Sequence, residues 1–421
     1  MDKFIIHGGK QLSGGVKING AKNASLALMP ASLLATGKSV LYNTPELNDV
    51  YTMLKLLNHL GVKSVFKNHI LELDTSNITS QDAPYEHVKK MRASVYVLGP
   101  LLARYGKAKV SLPGGCAWGP RPINLHLDGL KKMGAEIELA EGYVIAQTKK
   151  LRGTKINFGI SSVGATGNLL MAATLAEGTT VITNAAREPE ITNLANYLLK
   201  MGAKIDGIGT SVLTVEGVDQ LFHSEIETIP DRIEAGTILI AVALTGGSVK
   251  ISGILSEYFE SVLLKLQDSG CKILKNNNII ELTASKTSII PTDIITSVFP
   301  GFPTDMQAQW ITYMSLADGI SKITDTIYLD RFTHVPELAR LGADITVNEN
   351  TAVVKGVKKL KGAKVMSTDL RASASLVLAG LAAEGTTEVL RVYHLDRGYQ
   401  KIEEKLLALG ADIERVQGAE F

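Results

Sequence analysis

Repetition is what most limits the folds open to this chain. Six segments read alike. Each has a helical run ending in Gly, a short β-branched strand, a second amphipathic helix, and then Leu/Met-Gly-Ala-x-Ile or a close variant. They are ATGKSVLYN…LNHLGVKSV, RYGKAKVSL…LKKMGAEIEL, AEGTTVITN…LLKMGAKID, TGGSVKISG…LQDSGCKIL, ADGISKITD…LARLGADIT and AEGTTEVLR…LLALGADIE. The closing glycines are Gly61, Gly134, Gly202, Gly270, Gly342 and Gly410. Subtracting neighbours gives steps of 73, 68, 68, 72 and 68 residues, so six similar units fill the 421 residues. An unrelated string of α/β elements has no reason to keep so even a step.

The unit can be read physically. Gly37, Gly106, Gly178, Gly247, Gly319 and Gly385 stand where a helix needs a left-handed C-cap. The β-branched residues that follow suit a strand. Leu, Ile and Val at helical spacing, as in YTMLKLLNHL and ITNLANYLLK, predict the second helix. An alternating stretch such as AEIELAEGYVIAQ predicts two closing strands. The unit is therefore βαβαββ, and the chain is α/β with at least two domains.

Composition narrows the partners. A net charge of +2 gives no bulk basic field for nucleic acid. The longest apolar run, Ala24 to Thr36, is 13 residues, interrupted by Pro30 and too short to span a membrane. MDKFIIHGGK does not read as a signal peptide, and two cysteines make no disulfide framework, so the cytosol is the expected compartment. No His/Cys cluster has zinc spacing and no Gly-rich phosphate loop is present, so neither metal nor cofactor is expected.

One unit departs from the rest. From first glycine to closing glycine the six measure 24, 28, 24, 23, 23 and 25 residues. The extra residues of the second fall in LPGGCAWGPRP, Leu112 to Pro122, where six of eleven positions are Gly or Pro. Such a segment cannot run through a helix or a central strand. It reads as a lid on the working face of a repeat scaffold. It carries Cys116, and Arg121 nearby could favour its thiolate. Cys271, in DSGCKIL, reads as a buried strand residue.

Cations recur at equivalent places. Lys22, Arg92, Arg232 and Arg371 fall near the starts of first helices, where they oppose the macrodipole. Free N–H groups beside a cation make an anion site. Arg121, Arg187, Arg331 and Arg397 recur in the strand-to-second-helix turns. Singly each could be a surface cation in a weak salt bridge. Together they imply a small ligand with several negative charges. Asp305, in FPGFPTDMQ, is either a helix N-cap or first-turn carboxylate, or a base opposite a substrate hydroxyl. Asp49, Glu190 and Asp231 read as caps or salt bridges.

At these residues the chain resembles the enolpyruvyl transferases. The likeness covers essentially the whole chain and is carried by NGAKNASL, LPGGCAWGPRPINLH, SSVGATGN, NAAREPEI, GFPTDMQAQ, RFTHVPEL, TDLRASASLVLAG and YHLDRGY. It implies an inside-out α/β barrel of two domains, three units each: residues 22–229, and residues 1–21 with 230–421. The cleft would lie between them, closed by the loop around Cys116. The implied reaction moves the enolpyruvyl group of phosphoenolpyruvate to the 3′-hydroxyl of UDP-N-acetylglucosamine and releases phosphate, in peptidoglycan synthesis. Lys22, Arg121 and Arg397 would hold the donor's phosphate and carboxylate. Cys116 would be the general acid and Asp305 the general base. Asn23, Arg92, Arg121, Pro122, Ile123, Asn124, Leu125, Ser162, Val163, Gly164, Thr304 and Ile327 would line the sugar-nucleotide site. Arg331 and Arg371 would support the cleft. Some members carry Lys where this chain has Ile160, which shifts diphosphate binding toward Arg92, Arg121 and the helix start at Ser162. Two alternatives stay open: a transferase acting on shikimate 3-phosphate, against which the cysteine loop argues, and a non-catalytic sugar-nucleotide sensor.

Overall fold

The computed structural model describes residues 2–89, 91–112 and 123–417. The chain forms two compact units, Gly20–Ile229 and Met1–Asn19 with Pro230–Phe421. Each has its own continuous apolar core.

Among the described residues, each unit holds three four-stranded sheets. In Gly20–Ile229 one runs Glu225–Glu227, Lys38–Tyr42, Ile70–Asp74, Lys63–Lys67. Its first pair is parallel and the other two are antiparallel. The other five sheets repeat that pattern. In the last of them the third strand is Asp2–His7, which lies between Thr386–Leu390 and Ile413–Gln417. AEIELAEGYVIAQ forms the hairpin Glu136–Ala140 and Tyr143–Gln147.

Helices in each unit bury their apolar surface against one another. In the unit with Pro230–Phe421, Arg232–Thr245 and Gln307–Met314 are buried at every residue, and Leu370–Ala382 at all but its last. Helices buried on every face are core helices, and their polar side chains are buried with them. Asp231 and Asp369 cap two of them by accepting backbone N–H bonds, and Ser162 caps Val163–Ala173 in the other unit.

The closing glycines all take positive φ, between 92° and 108°. After each, the next N–H reaches back five residues: Val62 to Leu57, Ala135 to Leu130, Ala203 to Leu198, Cys271 to Leu266, Ala343 to Leu338 and Ala411 to Leu406. This is the Schellman closure, which satisfies helix-end carbonyls and requires a left-handed residue. The expectation for the other six glycines needs correction. All have positive φ, but only Gly106 caps a helix directly. Gly37, for example, separates the short strand Ala35–Thr36 from Lys38–Tyr42. Elsewhere a brief strand or turn intervenes between helix and glycine, except at Gly247, whose neighbour Gly246 is the cap.

Candidate active site

In the unit containing Pro230–Phe421, polar groups converge on Asp305. This residue lies in the turn Thr304–Met306, which leads into the buried helix Gln307–Met314. No side-chain hydrogen bond caps that turn, and Asp305 is the carboxylate of its first turn. Its Oδ1 lies 2.9 Å from Arg331 Nη1, and its Oδ2 accepts a 2.7 Å bond from Arg371 Nη2. The guanidiniums are 8% and 5% exposed and the carboxylate 26%, so sunken cations present an outward carboxylate.

A further layer holds the arginines. Arg331 Nη1 donates to Thr304 Oγ1 at 3.0 Å, and that hydroxyl donates to Asp325 Oδ2 at 2.7 Å. Asp325 is fully buried, and its Oδ1 accepts from Thr296 and from the N–H groups of Ile327 and Tyr328. Ile327 is thereby fixed through its backbone. Arg371 Nη1 donates to the Tyr399 hydroxyl at 3.2 Å, which shares a 2.9 Å bond with Thr237. Gln309 Nε2 donates to that hydroxyl, to Thr237 Oγ1 and to the Asp305 carbonyl. Burial opposes charge on Arg371, but Asp305, Tyr399 and Asp231 outweigh it and raise its pKa. Burial raises the Tyr399 pKa against the pull of Arg371, so the phenol keeps its proton. Arg397 ends the turn Val392–Arg397 and is half-buried. Burial first, then the Arg397 cation, lowers the pKa of His394.

In Gly20–Ile229 the arrangement centres on cations. Lys22 opens the helix Lys22–Ala31, which has no side-chain cap. Its Nζ lies 3.1 Å from Asp49 Oδ2 in the first turn of Asn48–His59, and the side chains are 13% and 5% exposed. Asn23 is exposed beside it. Arg92 opens the turn Arg92–Val97 and is half-buried. Burial, and then Arg92, push His126 down to about 4. Asn168 Oδ1 accepts from the Gly99 N–H and its Nδ2 donates to the Val95 carbonyl. Its Nδ2 therefore faces His126 Nδ1, 3.0 Å away, and assigns the ring proton to Nε2. A Cβ at Gly164 would lie 3.2 Å from His126 Nε2, so the ring abuts the helix that Ser162 caps.

Other expected residues are scattered more loosely. Val163 and Gly164 are half-buried, and Ile160 is 73% exposed. Ile123 is buried at the start of Asn124–Lys132, with Asn124 exposed and Leu125 half-buried. Cys116, Arg121 and Pro122 lie outside the described residues. Cys271 is buried 3.5 Å from the Tyr313 hydroxyl, one residue before its strand, and burial pushes its thiol up. Arg187 is exposed and donates to the Gly209 carbonyl. Arg232 is buried with its guanidinium 5.8 Å from the Phe299 ring centre. Sequence reasoning passed over Asp325, Tyr399, Thr237, Gln309, His126 and Asn168. Tyr399, Gln309, His126 and Asn168 lie inside motifs quoted above, which was the only signal.

The family model of EPSP synthase (3-phosphoshikimate 1-carboxyvinyltransferase) matches residues 6–406. The chain is 57% identical to the UDP-N-acetylglucosamine 1-carboxyvinyltransferase of Chloroherpeton thalassium, over 100% of this chain and 99% of that one. It is 55% identical to the protein of that name from Geotalea uraniireducens, over 99% and 100%. Its fold matches the enolpyruvyl transferase NikO from Streptomyces tendae with a TM-score of 0.90 at 24% identity, over 99% of both chains. An EPSP synthase from Acinetobacter baumannii matches with a TM-score of 0.76 at 19% identity, over 99% and 100%. With this mixed α/β fold and a family match over nearly its whole length, the chain belongs to the EPSP synthase family of enolpyruvyl transferases.

Proposed function

We propose that this enzyme transfers the enolpyruvyl group of phosphoenolpyruvate to the 3′-hydroxyl of UDP-N-acetylglucosamine and releases phosphate. The observation that carries the reading is the 57% identity, end to end, with a protein named for that reaction. We read the six sheets as six βαβαββ units of a two-domain inside-out barrel, whose domains share the substrates.

The chemistry assigns roles. The sugar oxygen adds to C2 of the enol ester while a proton is delivered to its methylene carbon, giving a tetrahedral adduct. Phosphate then leaves and a proton is lost from the new methyl group, which restores the double bond. Lys22, Arg121 and Arg397 hold the donor's anionic groups. Asp305 takes the hydroxyl proton. Its side chain is 26% exposed, more than either guanidinium beside it, which suits a base that meets a substrate hydroxyl. Arg331 and Arg371 fix its direction. Cys116 is the acid toward the methylene carbon. Arg92, Asn124, Ser162 and their neighbours hold the nucleotide, and Thr304 and Ile327 the sugar. The product supplies peptidoglycan synthesis in the cytoplasm, and hence growth, shape and division of the wall.

Phosphate release from phosphoenolpyruvate, with and without UDP-N-acetylglucosamine, tests the reading. Release dependent on UDP-N-acetylglucosamine is expected, and release dependent on shikimate 3-phosphate instead would overturn it. Fosfomycin, an epoxide phosphonate, should label Cys116 faster as pH rises through its pKa, and should leave buried Cys271 intact. Cys116→Ser should lose the labelling.

A further inference from the structure

Arg415 lies outside every motif that carries the family likeness, yet it joins three carboxylates, one of them beside a proposed ligand residue. It sits on the strand Ile413–Gln417, directly opposite Phe4 on Asp2–His7. Its guanidinium donates from Nη2 to Asp396 Oδ1 and from Nη1 to Asp396 Oδ2 at 2.5 and 3.1 Å. Nη1 also reaches Asp2 Oδ2 at 3.3 Å, and Nε lies 2.8 Å from Glu403 Oε1. The Phe4 ring centre is 5.1 Å away. One cation thus gathers three carboxylates, from the first strand, the helix Ile402–Ala408 and the turn Val392–Arg397. The bidentate pair is with Asp396, the residue before Arg397.

The other side of Arg397 is pinned too. A Cβ at Gly398 would lie 2.6 Å from Leu370 Cδ2, so this backbone packs directly on the helix that carries Arg371. Tyr399 binds Arg371, Thr237 and Gln309 through its hydroxyl. Two non-glycine residues in the left-handed region, Arg391 at φ 58° and Lys401 at φ 46°, bound the segment. Such conformations persist only where surrounding contacts determine them. Arg397 therefore sits on a short strap held at Asp396, at Gly398 and at Tyr399. Without Arg415, the Asp396 end would lose both of its charged hydrogen bonds and be left near Glu403, a like charge.

We propose that Arg415 is a positioning residue for the reaction: by clamping Asp396 it aims Arg397 at the anionic donor. The inference rests on Arg397 being a phosphoenolpyruvate ligand. A residue acting through Arg397 affects the donor's KM and leaves the acceptor's alone.

The test compares wild-type enzyme, Arg415→Met, Arg397→Lys and the double variant, by steady-state phosphate release and thermal melting. Arg415→Met should raise the KM for phosphoenolpyruvate about tenfold, the size expected for lost hydrogen bonds to a charged group. The KM for UDP-N-acetylglucosamine should stay within about twofold. In the Arg397→Lys background the same change should cost less than about twofold, because its target is already altered. Arg415→Lys should recover part of the loss. Should Arg415→Met fail to fold, Asp396→Asn weakens the same clamp and should give the same pattern at smaller size. Equal costs in the two backgrounds, or a lower melting temperature with both KM values unchanged, would overturn the proposal. A failure of the underlying reading looks different: Arg397→Lys would then bind phosphoenolpyruvate like the wild type, and both ideas fall together.

Discussion

The Asp305 cluster and the Lys22–Asp49 pair are inversions of one another. Around Asp305 two nearly buried guanidiniums stand behind a carboxylate that reaches solvent. At Lys22 a nearly buried carboxylate stands behind the more exposed ammonium. In each case the inner partner aims the outer one and lowers the cost of holding it at a partly desolvated place. The outer group is then the one available to a substrate. A displayed carboxylate suits proton removal, and a displayed ammonium suits an anion. That difference accords with the proposed roles, Asp305 toward the acceptor hydroxyl and Lys22 toward the donor.

The sharpest way to break this contrast is to neutralise the displayed groups. Asp305→Asn should reduce turnover about 10³-fold and leave UDP-N-acetylglucosamine binding within a few-fold, measured by phosphate release and calorimetry. Lys22→Met should act instead on the donor, raising the KM for phosphoenolpyruvate by about tenfold or more. If both variants raised the same KM, the division of labour would be wrong. Removing the inner partner should cost less. Asp49→Asn keeps the ammonium but loosens its aim, and a loss of about tenfold in kcat/KM is expected, with a lower melting temperature.

A second parallel can be read from pH. Each unit buries a histidine near an arginine: His126 near Arg92, pushed down to about 4, and His334 near Arg331, pushed down to about 3. Burial is the main cause in both. A histidine with a depressed folded pKa binds its proton more readily unfolded. Its stabilising contribution is therefore complete above about 6.5 and is lost as pH falls toward the folded value. Between about pH 6.5 and 4, unfolding free energy should drop by about 3 kcal/mol per histidine. His126→Gln and His334→Gln should each flatten the profile, and denaturant titrations from pH 7 to 4 measure it. The smallest effect concerns Ile160, which is exposed two residues before the cap Ser162. Ile160→Lys should tighten UDP-N-acetylglucosamine binding by about two- to fivefold at low salt, and the gain should fade as salt rises.

Some of this was visible before any coordinates. The closing glycines declare themselves because the Schellman turn demands a left-handed residue, and that demand is local. Thr304, Asp305, Arg331 and Arg371 stand at helix starts and turns, positions that a repeat makes comparable. Asp325, Tyr399 and Asn168 were not visible. Each is a polar residue with side-chain partners more than twenty residues away in sequence, and only packing reveals that it is buried and shared. Gly37 and its counterparts were misread in detail because positive φ is legible from a glycine, whereas the short strand before it depends on a distant partner: Ala35–Thr36 pairs with Leu221–Phe222.

The placement of Asp2–His7 between Thr386–Leu390 and Ile413–Gln417 bears on how the molecule is made. A ribosome delivers the chain in order, and domains generally fold as units while they emerge. Every described strand of Gly20–Ile229 is available once its last residues leave the exit tunnel. The other unit must wait, because its first strand has no hydrogen-bonding neighbour until almost the whole message has been read. Two exposed strand edges are thus carried through nearly the entire synthesis, and such edges are templates for aggregation. A nascent chain arrested near residue 300 should present Gly20–Ile229 as one folded body, and limited proteolysis should trim the N-terminal ribbon and the unfinished segment after Ile229 while leaving that body intact.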